Sequence, residues 1–220
     1  NLTVCQKEIT KLIASDNVCK GVESVSGSKY YAKAVVLATG TYLKARCIYG
    51  EVSEYTGPNG LKSANYLSES LLDAGISLNR FKTGTPARVD GRSIDYCGMQ
   101  EQYGDNPVVP FSFETDPESV QKEQVKCYLA YTNEHTHEII RENIGRSPLF
   151  SGAIKGTGPR YCPSIEDKVV KFPDKDRHQI FVEPEGLYTN EMYLSGLSSS
   201  LPEDVQEEMI KSIKGFENAN

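Results

Sequence analysis

The chain has 220 residues, of which 38% are hydrophobic and 25% charged, and its formal net charge is −6. These values are typical of an ordinary soluble protein with one large or two small domains. They exclude a cationic nucleic-acid-binding surface spread over the whole chain, but not a local basic patch. No apolar run approaches the ~20 residues that span a bilayer, and no signal peptide is recognisable.

The first forty residues predict a β-meander. Strands are expected at 2–13, 18–25 and 29–33, because two short polar turns interrupt the strand-like pattern at Ser15-Asp16-Asn17 and Ser26-Gly27-Ser28. The chain opens on this first strand without a methionine and stops just after a helical pattern. We therefore expect a fragment of a longer protein.

An apolar run without alternation follows at 34–38, "AVVLA". Such a run indicates a strand that is buried on both faces, as in a parallel sheet. It ends in Thr39, Gly40 and Thr41, and small residues at this end of a parallel strand let a ligand approach the backbone. The phosphate fingerprint G-x-G-x-x-G after a first strand does not occur in the chain.

The remaining elements alternate between helices, strands and loops. We expect a helix over "LKSANYLSESLLDAGI" that Gly75 ends, and a long surface excursion at 97–120. Later elements are a strand at 125–131, a helix capped by Thr132 or Asn133, a strand in "HQIFVEPEG" and a helix over "LPEDVQEEMIKSIKG" closed by Gly215. The order predicts an α/β nucleotide-binding domain that an α+β subdomain interrupts.

Six cysteines occur without a C-x-x-C pair, which suits neither a zinc site nor a disulfide scaffold. A reducing cytoplasm is the expected location. His135 and His137 are two residues apart and point about 200° apart on a helix, so they cannot bind one metal ion there. We predict no metal site.

Two segments carry candidate functional groups. Arg80, Lys82, Arg88 and Arg92 form either a solvated turn region or an anion-binding surface. Cys162, in "GPRYCPSIEDK", is either a buried small hydrophobe or a reactive thiol. The second interpretation depends on its Gly/Pro-rich loop and on the helix start that follows, which lowers the pKa of a thiol.

Long motifs of the chain closely resemble the glucose-inhibited division protein A family. They include "AVVLATGTYL", "KTGTPARVDGRSIDY", "CYLAYTNEHTHEIIRENIGRSPLFSG" and "GTGPRYCPSIEDKVVKF". The resemblance covers nearly all of the chain and implies part of a glutathione-reductase-like FAD-binding domain with a β-meander. It implies FAD-binding domain segments at 1–85 and 161–220 and an inserted subdomain at 86–160.

The resemblance also implies an enzyme that modifies the wobble uridine of tRNA at C5, adding an aminomethyl or carboxymethylaminomethyl group. The implied cofactors are FAD, NADH and methylenetetrahydrofolate as the methylene donor. The implied partners are tRNA and the GTPase MnmE, with a homodimer that forms a heterotetramer, in the cytoplasm and without a membrane. We expect the fragment alone to be inactive and to bind FAD weakly or not at all.

The resemblance carries over to individual residues. Cys162 matches the family's nucleophilic cysteine, and Ile9 matches a position that contacts FAD. Thr39, Gly40 and Thr41 are expected at the nucleotide. The segment assigned to the nicotinamide dinucleotide comprises Gly158, Pro159, Arg160, Tyr161, Cys162, Pro163, Ser164, Ile165, Glu166, Asp167, Lys168, Val169, Val170, Lys171 and Phe172.

Two alternatives stay open at this point. Folate- and FAD-dependent tRNA uridine C5-methyltransferases share parts of these motifs, although the "RYCPSIEDK" and "HQIFVEPEG" runs favour the aminomethyl branch. A non-catalytic module for dimerisation or docking of the GTPase is the other alternative.

Overall fold

The computed structural model describes residues 2–120, 124–156, 158 and 163–220. The chain divides into two compact units, with the boundary between Phe81 and Lys82. Strands from both 86–160 and 161–220 join one sheet in the second unit. The predicted assignment of these ranges to an inserted subdomain and a returning FAD-binding domain stays a prediction.

The described residues form ten strands and four α-helices. The strands are β1 (Ile9–Ser15), β2 (Val18–Ser24), β3 (Lys29–Tyr31), β4 (Cys47–Tyr49), β5 (Val52–Glu54), β6 (Arg88–Asp90), β7 (Gln100–Gln102), β8 (Cys127–Tyr131), β9 (Gln179–Pro184) and β10 (Glu191–Ser195). The helices are α1 (Leu67–Asp73), α2 (Glu134–Glu142), α3 (Ile165–Lys171) and α4 (Glu203–Lys211). Short 3₁₀ turns occur at Pro58–Gly60, Gly91–Ser93, Pro117–Val120 and Ile144–Arg146.

The first unit contains the predicted meander, with β1, β2 and β3 paired antiparallel in that order. Asp16 and Asn17 both have positive φ, 53° and 60°, which matches the two-residue hairpin turns whose twist suits flanking strands. Helix α1 packs on β1, where the Leu12 amide donates to Ser70 Oγ at 2.9 Å. Gly75 follows α1 with φ +80°, as predicted for the residue after a helix.

The prediction of a buried parallel strand at 34–38 is wrong for the described structure. This run belongs to no strand, and Val36 is 89% exposed. Residues 2–8 also lie outside β1, and Leu2 is 88% exposed. A strand forms only where a neighbouring strand shares its backbone hydrogen bonds. No described strand pairs with 34–38, and in the run 2–8 the Glu8 carbonyl accepts a hydrogen bond from the Val25 amide at 2.9 Å, next to the start of β1.

The second unit is built on a five-stranded sheet with the order β6-β10-β9-β8-β7, and every neighbouring pair is antiparallel. Alternate residues of the central strands face the core: Ile180 and Val182 on β9 and Leu194 on β10 are fully buried. The strand in "HQIFVEPEG" was therefore predicted correctly. Strand β7 was missed, because its "QEQ" has no apolar residue and occupies an edge of the sheet.

Helices α2, α3 and α4 belong to the same unit, and α2 packs against both α3 and α4. Asn133 caps α2 through a hydrogen bond from the Thr136 amide at 2.9 Å, one of the two predicted caps. Its side-chain amide donates to the Ser212 carbonyl beyond α4 at 2.7 Å. Helix α4 ends at Lys211, whereas the sequence predicts that it continues until Gly215.

Leu194→Ala should lower the free energy of unfolding by about 2–5 kcal/mol, because Leu194 is fully buried in the core and its removal leaves a cavity. Denaturant unfolding measures the difference. Val125→Ala, at a side chain that is 53% exposed, is the control and should change stability by no more than about 0.5 kcal/mol. Equal effects of the two substitutions would contradict this assignment of the core.

Candidate functional site at the start of the third helix

The candidate nucleophile lies outside the described residues. Cys162 and its neighbours Pro159, Arg160 and Tyr161 are not described, whereas Gly158 and the stretch 163–172 are. The site is therefore built from the helix that begins just after Cys162. Its geometry defines where the segment with the thiol joins the core of the second unit.

Helix α3 begins as the sequence predicts. Ser164 is its N-cap and accepts a hydrogen bond from the Asp167 amide at 3.2 Å through Oγ. The Ile165 amide, which has no partner inside the helix, donates to the Ser198 carbonyl at 2.8 Å. Lys168 Nζ donates to the Gly196 carbonyl at 2.7 Å. The 196–200 segment therefore holds the first turn of α3 from one side.

Glu166, also in this first turn, is fully buried. Its Oε1 accepts hydrogen bonds from the Ser200 amide at 2.9 Å, from Ser200 Oγ at 3.1 Å and from Ser147 Oγ at 3.4 Å. The two serine hydroxyls lie 2.9 Å apart. Glu166 Oε2 is buried and has no hydrogen-bond partner among the described residues. A carboxylate thus links three segments that are distant in sequence.

Two faces of α3 have different surroundings. Ile165 and Val169 pack into the core, so their side chains are covered. Val170 and Phe172 are about half exposed, at 46% and 47%. Lys171 Nζ lies 3.6 Å from the Asp167 carboxylate. Of the described residues predicted to bind the dinucleotide, Ser164, Ile165, Glu166 and Val169 are buried, whereas the others have exposed surface.

The predicted flavin contacts lie in the first unit. Ile9 is half-buried at the start of β1. Thr39, Gly40 and Thr41 form a turn in which the Tyr42 amide donates to the Thr39 carbonyl at 3.3 Å. Gly40 has φ +54°, and an added Cβ would meet only the Tyr42 ring, at 3.6 Å or more. The backbone of this turn is therefore open to the approach of a ligand.

Three of the four cations in the predicted anion-binding region contact protein groups. Arg80 donates to the Lys44 carbonyl at 2.8 Å, and Arg88 pairs with Glu185 at 2.7 Å. The hydrogen bonds from Arg92 lower the pKa of Asp90 to about 2. These contacts favour the interpretation as a structural turn region over an anion-binding surface.

A pair of histidines, the buried His137 and the half-buried His178, lies beside the sheet. His137 Nε2 is 2.8 Å from Thr132 Oγ1, which also accepts the His178 amide at 2.7 Å, and the two imidazole rings are 5.2 Å apart. Burial lowers the pKa of both rings, and the positive charges of Lys168 and Lys175 lower that of His178 further. The side chain of His135, in contrast, is 70% exposed.

The described part of the chain contains no group of three or more His, Cys, Asp and Glu side chains that could hold a metal ion. Within the same residues, no helix has the length and apolarity needed to span a membrane.

Sequence reasoning identified the start of α3 but missed Ser147 and Ser200. No local motif marks them, because they contact Glu166 from 19 and 34 residues away. The only available signal was an acidic residue, Glu166, between the apolar positions Ile165 and Val169 of a short helix.

Comparison with known proteins gives a family match over the whole chain. A family model described as glucose inhibited division protein A matches residues 1–220. A protein of Lachnoclostridium phytofermentans named tRNA uridine 5-carboxymethylaminomethyl modification enzyme MnmG is 66% identical over 219 residues, which cover 100% of this chain and 35% of that protein. A protein of Clostridium botulinum with the same name is 57% identical, with the same coverage.

The solved structures include a crystal structure of Aquifex aeolicus GidA with a TM-score of 0.84 and 50% identity, covering 98% of this chain and 37% of that one. A second crystal form has a TM-score of 0.82. This likeness confirms the predicted fold class. The chain spans about a third of the length of the curated relatives that it matches.

The histidine pair predicts a loss of stability in acid. Because the folded state holds both pKa values below the ordinary value near 6.5, the unfolded state binds protons first as the pH falls. The contribution of the pair is complete above about pH 6.5 and is lost as the pH falls through the folded pKa values. Unfolding free energies measured between pH 7.5 and pH 5 should show this slope.

His137→Gln and His178→Gln should each reduce that slope, whatever they do to stability at pH 7.5. His135→Gln is the matched control, because the His135 side chain is exposed, and it should keep the slope of the unchanged protein. An unchanged slope in both His137→Gln and His178→Gln would rule out the pair as its source.

Proposed function

Because this chain belongs to the glucose-inhibited division protein A family, we propose that the protein of which it is a part is a tRNA-modifying enzyme that acts on uridine. The observation that carries the proposal is the match of all 220 residues to the family model, together with 66% identity to a protein named for this modification. The names of the relatives favour the carboxymethylaminomethyl branch over the C5-methyltransferase alternative.

The proposed substrate position is C5 of the wobble uridine, and Cys162 is the proposed nucleophile. C5 is a poor nucleophile until a group adds to C6. The Cys162 thiolate forms a C–S bond at C6, which makes C5 nucleophilic. After C5 has gained its new carbon, loss of the C5 proton expels the thiolate and restores the double bond. The target base must leave its stack to reach the thiol.

FAD is a proposed cofactor, and the described residues fit it in one respect. The open, left-handed turn at Gly40 leaves the backbone of Thr39 and Thr41 accessible. Ile9, at the start of β1 in the same unit, is half-buried. These residues would hold part of the nucleotide. FAD and NADH would supply the redox chemistry of the reaction and methylenetetrahydrofolate the carbon, whereas the protein positions the reacting groups.

NADH is the second proposed cofactor, assigned to the segment 158–172. Four of its described side chains are buried: Ser164, Ile165, Glu166 and Val169. Side-chain contacts with the dinucleotide would therefore come from the others, which are Pro163, Asp167, Lys168, Val170, Lys171 and Phe172. Exposed apolar side chains can pack against a ring of the dinucleotide, and a neighbouring lysine can bind one of its phosphates. The buried residues would support these side chains and not touch the ligand.

The proposed partners are tRNA and the GTPase MnmE, with a homodimer that assembles into a heterotetramer in the cytoplasm. The net charge of −6 is compatible with tRNA as a substrate, because binding needs only a local basic face. A purely non-catalytic docking role for this segment is the alternative, and the effect of Cys162→Ser on tRNA modification separates the two.

Cys162→Ser in the full-length protein should abolish the modified wobble nucleoside, because a serine hydroxyl is too weak a nucleophile to replace a thiolate. The measurement is mass spectrometry of digested tRNA from a deletion strain complemented with the variant. Cys97→Ser, which changes an exposed cysteine of the same unit, is the matched control and should restore wild-type levels. Normal modification with Cys162→Ser would refute the catalytic assignment.

A further inference from the structure

The five-stranded sheet of the second unit has two different faces. Residues of the first face, such as Ile180, Val182 and Leu194, belong to one core cluster with the buried residues of α2, α3 and α4. Residues of the second face, such as Tyr131 and Phe181, are half-buried and do not belong to that cluster. The core and the three helices therefore lie on the first face.

Three aromatic rings form a diagonal row across the second face. Tyr131 on β8 lies opposite Gln179, so Phe181 on β9 is its diagonal neighbour. Phe181 is in turn the diagonal neighbour of Tyr193 on β10, which lies opposite Glu183. Diagonal neighbours on one face of a sheet are about 7–8 Å apart, within reach of aromatic side chains. The row therefore spans the three central strands of the sheet.

A guanidinium group lies over each end of this aromatic row. Arg177 is 4.4 Å from the centre of the Tyr131 ring, and Arg88 is 4.8 Å from the centre of the Tyr193 ring. Arg88 also pairs with Glu185, whereas Arg177 has no ion pair among the described residues. Unstacked RNA bases stack on aromatic rings and on guanidinium planes, and arginine also binds phosphate. The row thus combines stacking surfaces with a positive charge at the Arg177 end.

Glu183 lies beside the row without a partner. It is opposite Tyr193 on the same face, and its carboxyl makes no hydrogen bond or ion pair with a described residue. Burial raises the pKa of this carboxyl. An apolar protein segment over it would remove its remaining water without supplying donors, which costs free energy. The N–H groups on the edge of a nucleobase would supply such donors, so Glu183 favours a base as the occupant.

We propose that the second face of this sheet binds unstacked bases from the unpaired loop of the tRNA. The rings of Tyr131, Phe181 and Tyr193 stack with the bases. The Glu183 carboxyl accepts a hydrogen bond from a base N–H group, and Arg177 binds an adjacent phosphate. The inference rests on the proposed function, in which tRNA is the substrate. RNA recognition motifs likewise stack two or three bases on aromatic side chains of one sheet face.

The binding test uses the full-length protein and a stem-loop RNA with the anticodon loop of a tRNA. Tyr131→Leu and Phe181→Leu each remove a ring but keep an apolar side chain, and each should raise Kd about tenfold through the loss of one stacked base. Tyr131→Phe keeps the ring and should stay within about twofold of wild type. Tyr188→Leu, at a fully exposed tyrosine of the same unit, is the control and should bind as wild type.

The two charged residues have separate tests. Arg177→Gln should reduce the slope of log K against log salt concentration by about 0.7, the value for one phosphate contact to a single strand. Arg92→Gln, at an exposed arginine paired with Asp90, is the control and should keep the slope. Glu183→Ala and Glu183→Gln both remove the charge, but only the glutamine keeps an acceptor oxygen, so Glu183→Ala should bind several-fold more weakly. Equal affinities of these two variants would overturn the role of Glu183.

Photochemical cross-linking distinguishes contact from a structural role of the rings. A 5-iodouridine in the RNA loop cross-links to a stacked aromatic side chain on irradiation. Mass spectrometry of the digested full-length protein should then identify Tyr131, Phe181 or Tyr193 as the attachment site. Cross-links confined to other peptides would overturn the proposal and would indicate that another segment of the longer protein covers this face.

Failure of this proposal is distinguishable from failure of the proposed function. If the wild-type protein binds and modifies tRNA but folded Tyr131→Leu and Phe181→Leu bind the stem-loop as tightly, only the sheet face is ruled out. If the wild-type protein neither binds nor modifies tRNA, the proposed function fails, and this inference fails with it. Thermal unfolding shows whether the variants fold, and if they do not, the cross-links of the wild-type protein decide.

Discussion

The hydrogen bonds to the buried Glu166 carboxylate are the constraint on which the candidate site depends. A carboxyl group in the core is tolerated only where hydrogen-bond donors replace water, and Ser147 and Ser200 supply those donors. Because they belong to separate loops, the position of α3 is tied to the packing of the whole second unit. The site is thus a property of the core as well as of its own segment.

The five-stranded antiparallel sheet provides the rigid support for this arrangement. Its central strands bury Ile180, Val182 and Leu194, and helices α2, α3 and α4 belong to the same compact unit. The His137 and His178 pair lies within this unit and is kept uncharged by burial. Among the described residues of this unit, Glu166 and His137 are the buried ionisable side chains other than tyrosine and cysteine, and each has hydrogen-bond partners in the core.

Sequence reasoning succeeded where a signal is local. The cap at Asn133, the start of α3 and the glycine after α1 depend on hydrogen bonds or φ values at fixed offsets along the chain, which residue type alone can indicate. It failed for the apolar run at 34–38, because a run of this kind becomes a strand only beside neighbouring strands. The polar β7 has no pattern that distinguishes it from a loop.

The sequence by itself determined the family, the candidate thiol at Cys162 and the start of the helix that follows it, because these depend on residue identity and short spacings. Only the tertiary structure decided that Glu166 faces the core and not a ligand, and that Ser147 and Ser200 are its partners. Contacts over 19 and 34 residues arise when the sheet and helices pack together, and no rule of local spacing encodes them.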